Sequence, residues 1–230
     1  MKQLYVFCEG QTEQRFCTQL LQPHLFPDSA GVIHTLAVGE KDYRHVYGLG
    51  GRKKYERVRQ FICKSIKQRE GVGVYFTTLF DLYALPNDFP GSVENVRNPA
   101  DPTPYVRALE TAFAASIDYH RFVPYLQLHE YETLLFADPD AFAYSFENCE
   151  SAIEKLKEIA VSFQSIERID DGRKSAPSKR IIELIPQYEG RKSTAGPDIA
   201  EYIGLEKIRA ACPHFHEWLK QLERLAWQAR

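Results

Sequence analysis

Strand-like and helix-like patterns alternate through the first 130 residues, and that alternation constrains the fold more than any other feature of the chain. Residues 3–8, QLYVFC, are a short apolar run closed by Gly10, as in a buried strand. Residues 12–26 carry Phe16, Leu20, Leu21 and Leu25 at helical spacing, with Thr12 as the expected N-cap and Pro23 expected to end or kink the helix. GVIHTLAV (31–38) reads as a second strand and residues 54–69 as a second helix. GVYFTTLFD (73–81) is dense in aromatic and β-branched residues and predicts a third strand ending at Asp81. Residues 104–117 predict a third helix and RFVPYLQLH (121–129) a fourth strand, although Pro124 argues against an unbroken one. Such alternation predicts an α/β fold with about four mainly parallel strands flanked by helices.

After about residue 130 no strand pattern returns. ESAIEKLKEIAVSFQSI, SKRIIELIPQY and EKIRAACPHFHEWLKQLERLAWQ all read as helices. The expected organisation is an α/β core over residues 1–140 and a helical section over 141–230 packed against it. With 230 residues and 44% hydrophobic content, the chain can bury a sizeable core. A formal net charge of −2 excludes a global basic signature, so any nucleic-acid contact has to come from local patches. The five cysteines are scattered without C-x-x-C spacing and read as reduced thiols of a cytoplasmic protein. The apolar run at the N-terminus is too short for a signal peptide or a membrane span.

In an open parallel sheet, ligands bind at the carboxyl ends of the strands. Glu9 closes the first predicted strand and Asp81 the third, and the fourth ends at His129-Glu130 with Glu132 two residues on. Three strands thus deliver carboxylates to one edge, where they repel each other unless neutralised. A hard divalent cation such as Mg²⁺ does this with oxygen ligands. Each acid also has a plainer reading. Glu13 complements a helix dipole in the first turn, Asp81 caps a turn, and Glu130 and Glu132 are N-terminal helix acids. His129 reads as a metal ligand, a phosphate contact or a satisfied core histidine.

VFCEGQTE, TTLFDLYALP and LQLHEYETLLFADP, with the later PSKRIIELIPQYEGRKSTAGPDIAEYIGLEKIRAACPHFHEWLKQL, resemble a prokaryotic Toprim-like family of unknown function. That family is related to the Toprim domain of the overcoming-lysogenization-defect (OLD) nucleases. The resemblance covers nearly the whole chain. It implies a Toprim-like fold and a nuclease that depends on Mg²⁺ or Mn²⁺ and hydrolyses phosphodiester bonds, with DNA ahead of RNA as substrate. By the same resemblance Glu9 matches the Toprim glutamate, Asp81 the first Asp of an Asp-x-Asp pair, and Glu13 a second glutamate four residues after the first. Glu130 or Glu132 matches a further acidic segment serving a second metal, and Lys179 in PSKR a later lysine. Tyr83 stands where the second Asp of the pair would be. The resemblance also implies an ATPase partner of OLD or ABC type in a phage-defence setting. The alternatives are a non-catalytic Toprim-like subunit that binds an ATPase or nucleic acid, and a phosphotransfer or phosphatase activity on a small molecule at the same metal site.

Cations for a phosphate backbone come in three clusters: Arg52, Lys53, Lys54 and Arg57; Arg173, Lys174, Lys179 and Arg180; and Arg191 with Lys192. Glycine or serine lies near each, so backbone amides can approach a phosphate. Pro177 and Ser178 are expected to start a helix whose amides, with Lys179, would meet an anion. GLGGRKK lacks the G-x-x-x-x-G-K-[ST] spacing of an ATP-binding P-loop. Trp218 and Trp227 read as core or interface residues, and His214 and His216 would diverge on a helix.

Overall fold

The computed structural model describes residues 1–38, 54–98, 101–169, 172 and 174–227. Arg52, Lys53 and Arg173 lie outside the described residues, as does the side chain of Lys54. The chain is an α/β protein built on a parallel sheet. Its strands are β1 (Lys2–Cys8), β2 (Gly31–Ala37), β3 (Val74–Asp81), β4 (Phe122–Val123) and β5 (Leu126–Gln127). Their order is β2-β1-β3-β4, with β5 also on β3. The register pairs Cys8 with Ala37 on one side and with Leu79 on the other. The carboxyl ends of β1 and β3 therefore open on the same rim, and β3 runs two residues further to Asp81.

Alternate side chains of each strand enter two separate cores. On one face Leu4, Val6, Cys8 and Leu79 meet the helix that follows β1 together with the C-terminal helices. On the other, Phe7, Phe76 and Phe80 meet α3 (Lys54–Arg69) and α4 (Thr103–Ile117). The C-terminal layer comprises α5 (Glu150–Ser162), α6 (Pro177–Leu184), α7 (Lys192–Ile203), α8 (Leu205–Ala211) and α9 (Pro213–Trp227). Trp218 of α9 is buried, and its indole Nε1 donates to Thr77 Oγ1 of β3 at 2.8 Å. Trp227 is exposed, with its indole bonded to the Leu25 carbonyl at 3.2 Å. Among the described residues, no helix is long and apolar enough to cross a membrane.

Several local expectations need correction. Thr12 is not the N-cap of the first helix. Gly10 is, in extended conformation, and the helix runs as α1 (Gln11–Phe16), a π-helical stretch Cys17–Leu21 and α2 (Gln22–Leu25). The helix runs two residues past Pro23 and is distorted just before it. The wider ladder, in which the Gln22 N–H reaches back to the Cys17 carbonyl, lies just ahead of Pro23. A ring without an N–H would otherwise press on the preceding turn there.

The fourth strand is split into β4 and β5 at Pro124. Threonine hydroxyls of β3 take over the interrupted ladder: Thr77 Oγ1 donates to the Val123 carbonyl, and Thr78 Oγ1 bonds both the carbonyl and the N–H of Tyr125 at 2.8 Å. The last predicted helix is two, α8 and α9, separated at Cys212-Pro213. The buried Glu167 carboxylate accepts from the His214 and Phe215 N–H groups at 2.9 and 3.1 Å and so caps α9. Lys192 opens helix α7, which contains Gly196 and Pro197, residues whose local signal is that of a turn.

Candidate active site

The rim is assembled from four places in the chain. Glu9 follows β1 immediately, and its Oε1 accepts the backbone N–H of Asp81 at 2.8 Å. Glu13 sits one turn into α1 and folds back, so that its Oε2 accepts the Gly10 N–H at 2.8 Å. This N–H is an orphan donor of the helix start, and Glu at the third helical position is what satisfies it. Asp81 ends β3. Glu130 and Glu132 come from the turn after β5, at the start of a 3₁₀ helix over Tyr131–Ala137.

The charges of these acids act on one another. Burial raises the Asp81 carboxyl well above its ordinary value, and Glu9, Glu13, Glu132 and Glu130 all push it further. Burial also moves Glu13 from an ordinary 4.5 to about 7, with Glu132 adding to the rise and the backbone N–H bonds opposing it. Glu130 is raised by burial and then by Glu132. Each of the other four carboxylates thus disfavours ionised Asp81, and the five cannot all be ionised without penalty.

Partial compensation comes from groups far along the chain. Glu130 accepts the backbone N–H of Ser178, and its Oε2 accepts the Ser178 hydroxyl at 3.1 Å. Glu132 Oε1 accepts the buried Tyr188 hydroxyl at 3.3 Å and lies 3.4 Å from Lys192 Nζ. Gly196 lets α7 approach this corner closely. A Cβ there would stand 3.0 Å from the Tyr188 hydroxyl and 3.4 Å from a Tyr131 ring carbon.

Other anticipated residues lie elsewhere. Pro177 does start α6, but the Ser178 amide is taken by Glu130 and is not free for a phosphate. Lys179 is exposed on α6. Arg180 Nε donates to the Ser175 carbonyl at 2.6 Å, and its guanidinium lies over the Phe163 ring. Tyr83 is exposed, with its backbone N–H on the His129 carbonyl. His129 is buried at a left-handed φ of 64°, its Nε2 on the Glu167 carbonyl oxygen at 3.1 Å and its Nδ1 3.4 Å from Arg97. That is a satisfied core histidine. His214 and His216 diverge as expected, one bonded to Glu110 and the other to Arg209.

Residues 8–223 match the family model described as Domain of unknown function (DUF4276). The chain belongs to the DUF4276 family. The match spans all five carboxylates, Ser178, Tyr188 and Lys192 of this DUF4276 chain. No curated protein and no solved structure matches it.

Sequence reading missed Ser178, Tyr188 and Gly196 as parts of this DUF4276 site. The start of α6 at Pro177 was visible, but nothing local tells that its amide faces a carboxylate. The charge of Lys192 was visible as well, yet its neighbour Glu132 was not. Among the described residues, no group of three or more His, Cys, Asp or Glu side chains is arranged to hold a metal ion as it stands.

Proposed function

We propose that this DUF4276 chain is a Mg²⁺- or Mn²⁺-dependent nuclease of Toprim type that hydrolyses phosphodiester bonds, with DNA ahead of RNA as substrate. The observation that carries the reading is the meeting of Glu9, Glu13, Asp81, Glu130 and Glu132 at the carboxyl rim of a parallel sheet. The donor set fits a hard cation, since every candidate ligand is a carboxylate oxygen and three of the acids are held above their ordinary range by burial and by one another. Glu9, Glu13 and Asp81 would hold one ion, and Glu130 with Glu132 would serve a second. Such ions supply charge neutralisation for phosphate oxygens and a lowered pKa for water.

The protein's own groups complete the reading. Lys192, 3.4 Å from Glu132, is the cation at the rim and replaces Lys179 as the residue to stabilise phosphate charge. Glu13 keeps one oxygen on the Gly10 N–H, and burial pushes its carboxyl up to about 7 before any cation binds. Tyr131 and Tyr188 stay protonated beside the acids because burial raises both phenols. An OLD- or ABC-type ATPase partner and a phage-defence role belong to the same reading.

A second reading, a non-catalytic Toprim-like subunit that binds an ATPase or nucleic acid, is favoured by Tyr83 in place of an acid and by the lack of a ready-made three-ligand centre among the described residues. Cleavage of plasmid DNA and of RNA with Mg²⁺ or Mn²⁺, by wild type, Glu9→Gln and Asp81→Asn, separates the two. Metal-dependent cleavage by wild type alone supports the nuclease. Equal cleavage by all three removes the site, and no cleavage with the ATPase present favours the binding subunit.

A further inference from the structure

A second concavity lies at the β4 edge of the sheet. It is a groove of about 530 Å³ between α4 and α9, floored by the β4–β5 turn. That is within the range of small-ligand pockets. β4 pairs with Phe76 and Thr77, and the turn carries the groove on to Leu126, which pairs with Phe80, the residue before Asp81 on β3. The groove therefore runs along the sheet edge, and its deep end comes close to the level of the rim.

The two walls are regular. Arg107, Glu110 and Ala114 project from one stripe of α4, and His214, Glu217 and Trp218 from one stripe of α9. At the bottom, Glu110 Oε1 accepts both the Leu126 N–H at 2.9 Å and His214 Nε2 at 3.0 Å. Both bonds fall on one oxygen, and Oε2 has no hydrogen bond among the described residues. His214 is locked in turn: its backbone N–H is held by Glu167, and its ring stacks on Tyr125, which stacks on Trp218 at 4.3 Å. The carboxylate is thus fixed in place rather than free to turn to water.

We infer that this groove binds an organic cation, a guanidinium or ammonium group carried on an apolar stem. Glu110 Oε2 would accept from the charged head and Glu217 would add a second negative charge. The apolar floor of Phe122, Val123 and Pro124 would pack the methylenes. With His214 neutral, two carboxylates against the single guanidinium of Arg107 leave the lining negative, and Arg107 is exposed. No ion pair joins Arg107 to either acid, and Glu110 meets His214 through Oε1 alone, at 3.0 Å. The head group has two sources, a small molecule or an Arg or Lys side chain of a partner polypeptide.

Isothermal titration calorimetry with agmatine, and separately with a capped Gly-Gly-Arg-Gly-Gly peptide, tests this on wild type, Glu110→Gln and Glu217→Gln. Glutamine at 110 keeps an acceptor for the Leu126 N–H, and circular dichroism checks that each variant is folded. Saturable binding of either probe is expected, weakened about tenfold by Glu110→Gln and less by Glu217→Gln. Agmatine binding alone points to a small molecule, and peptide binding alone to a partner polypeptide. The inference fails if neither probe binds wild type, or if both folded variants bind as wild type does.

Discussion

The backbone N–H of Asp81 donates to Glu9 Oε1 at 2.8 Å, so the ends of β1 and β3 are tied by a side chain that is also a candidate metal ligand. Structure and chemistry are separable at Glu9. Alanine removes the acceptor and leaves the Asp81 amide unsatisfied, a loss of about 1–3 kcal/mol. Glutamine keeps an acceptor and removes the charge. Urea unfolding should therefore show Glu9→Ala destabilised and Glu9→Gln close to wild type, while metal-dependent cleavage falls at least about a hundredfold in both. Full activity in folded Glu9→Gln would contradict the site.

Stability without divalent ion should fall as pH rises. Native Glu13 keeps its proton up to about pH 7, whereas its ordinary value is 4.5. Between these values the native state binds the extra proton. The stability linked to it is present below the lower value and lost as pH rises through the upper one, by roughly 3 kcal/mol. Asp81 and Glu130 shift in the same direction. Urea midpoints of chelator-treated protein should decline between about pH 5 and pH 8. Glu13→Gln should flatten the decline, and Mg²⁺ should restore wild type at the upper end. A midpoint that does not change over this range would refute the shift.

Lys192 and Lys179 should behave differently. Lys192 Nζ lies 3.4 Å from Glu132, whereas Lys179 is exposed on α6. Cleavage by Lys192→Ala should drop about tenfold or more, with Lys179→Ala within about twofold of wild type. Measured side by side at fixed metal concentration, the reverse ranking would return the role to Lys179.

Gly196→Ala should act on the site from the second layer of the rim. Its Cβ would come to 3.0 Å from the Tyr188 hydroxyl, the group that donates to Glu132. Overpacking of this kind costs about 1–3 kcal/mol. Thermal unfolding should show that loss, together with weaker Mg²⁺ stabilisation than wild type. An unchanged melting temperature would mean that α7 moves aside freely.

The parts that could be read along the chain are the periodic ones. Apolar runs at Leu4–Cys8 and Val74–Leu79, closed by Glu9 and by Asp81, already place acids at strand ends, and parallel strands share one rim by construction. Even the break at Pro124 was visible, because a residue without an N–H cannot continue a ladder. What could not be read is set by distant partners: the N-terminus of α9 is capped by the buried Glu167 carboxylate, 47 residues away, and Gly196-Pro197 sits inside α7 where a small residue is needed against Tyr131 and Tyr188.

Periodicity, the alternation of strands with helices and the ends of the first and third strands are properties of neighbours in the chain, and hydrophobic burial at regular spacing is enough to set them. The environment of each carboxylate is not. Ser178 meets Glu130 across 48 residues and Tyr188 meets Glu132 across 56. Those encounters depend on how the C-terminal helices dock on the sheet, and hydrogen-bond partners and desolvation exist only once that packing has formed.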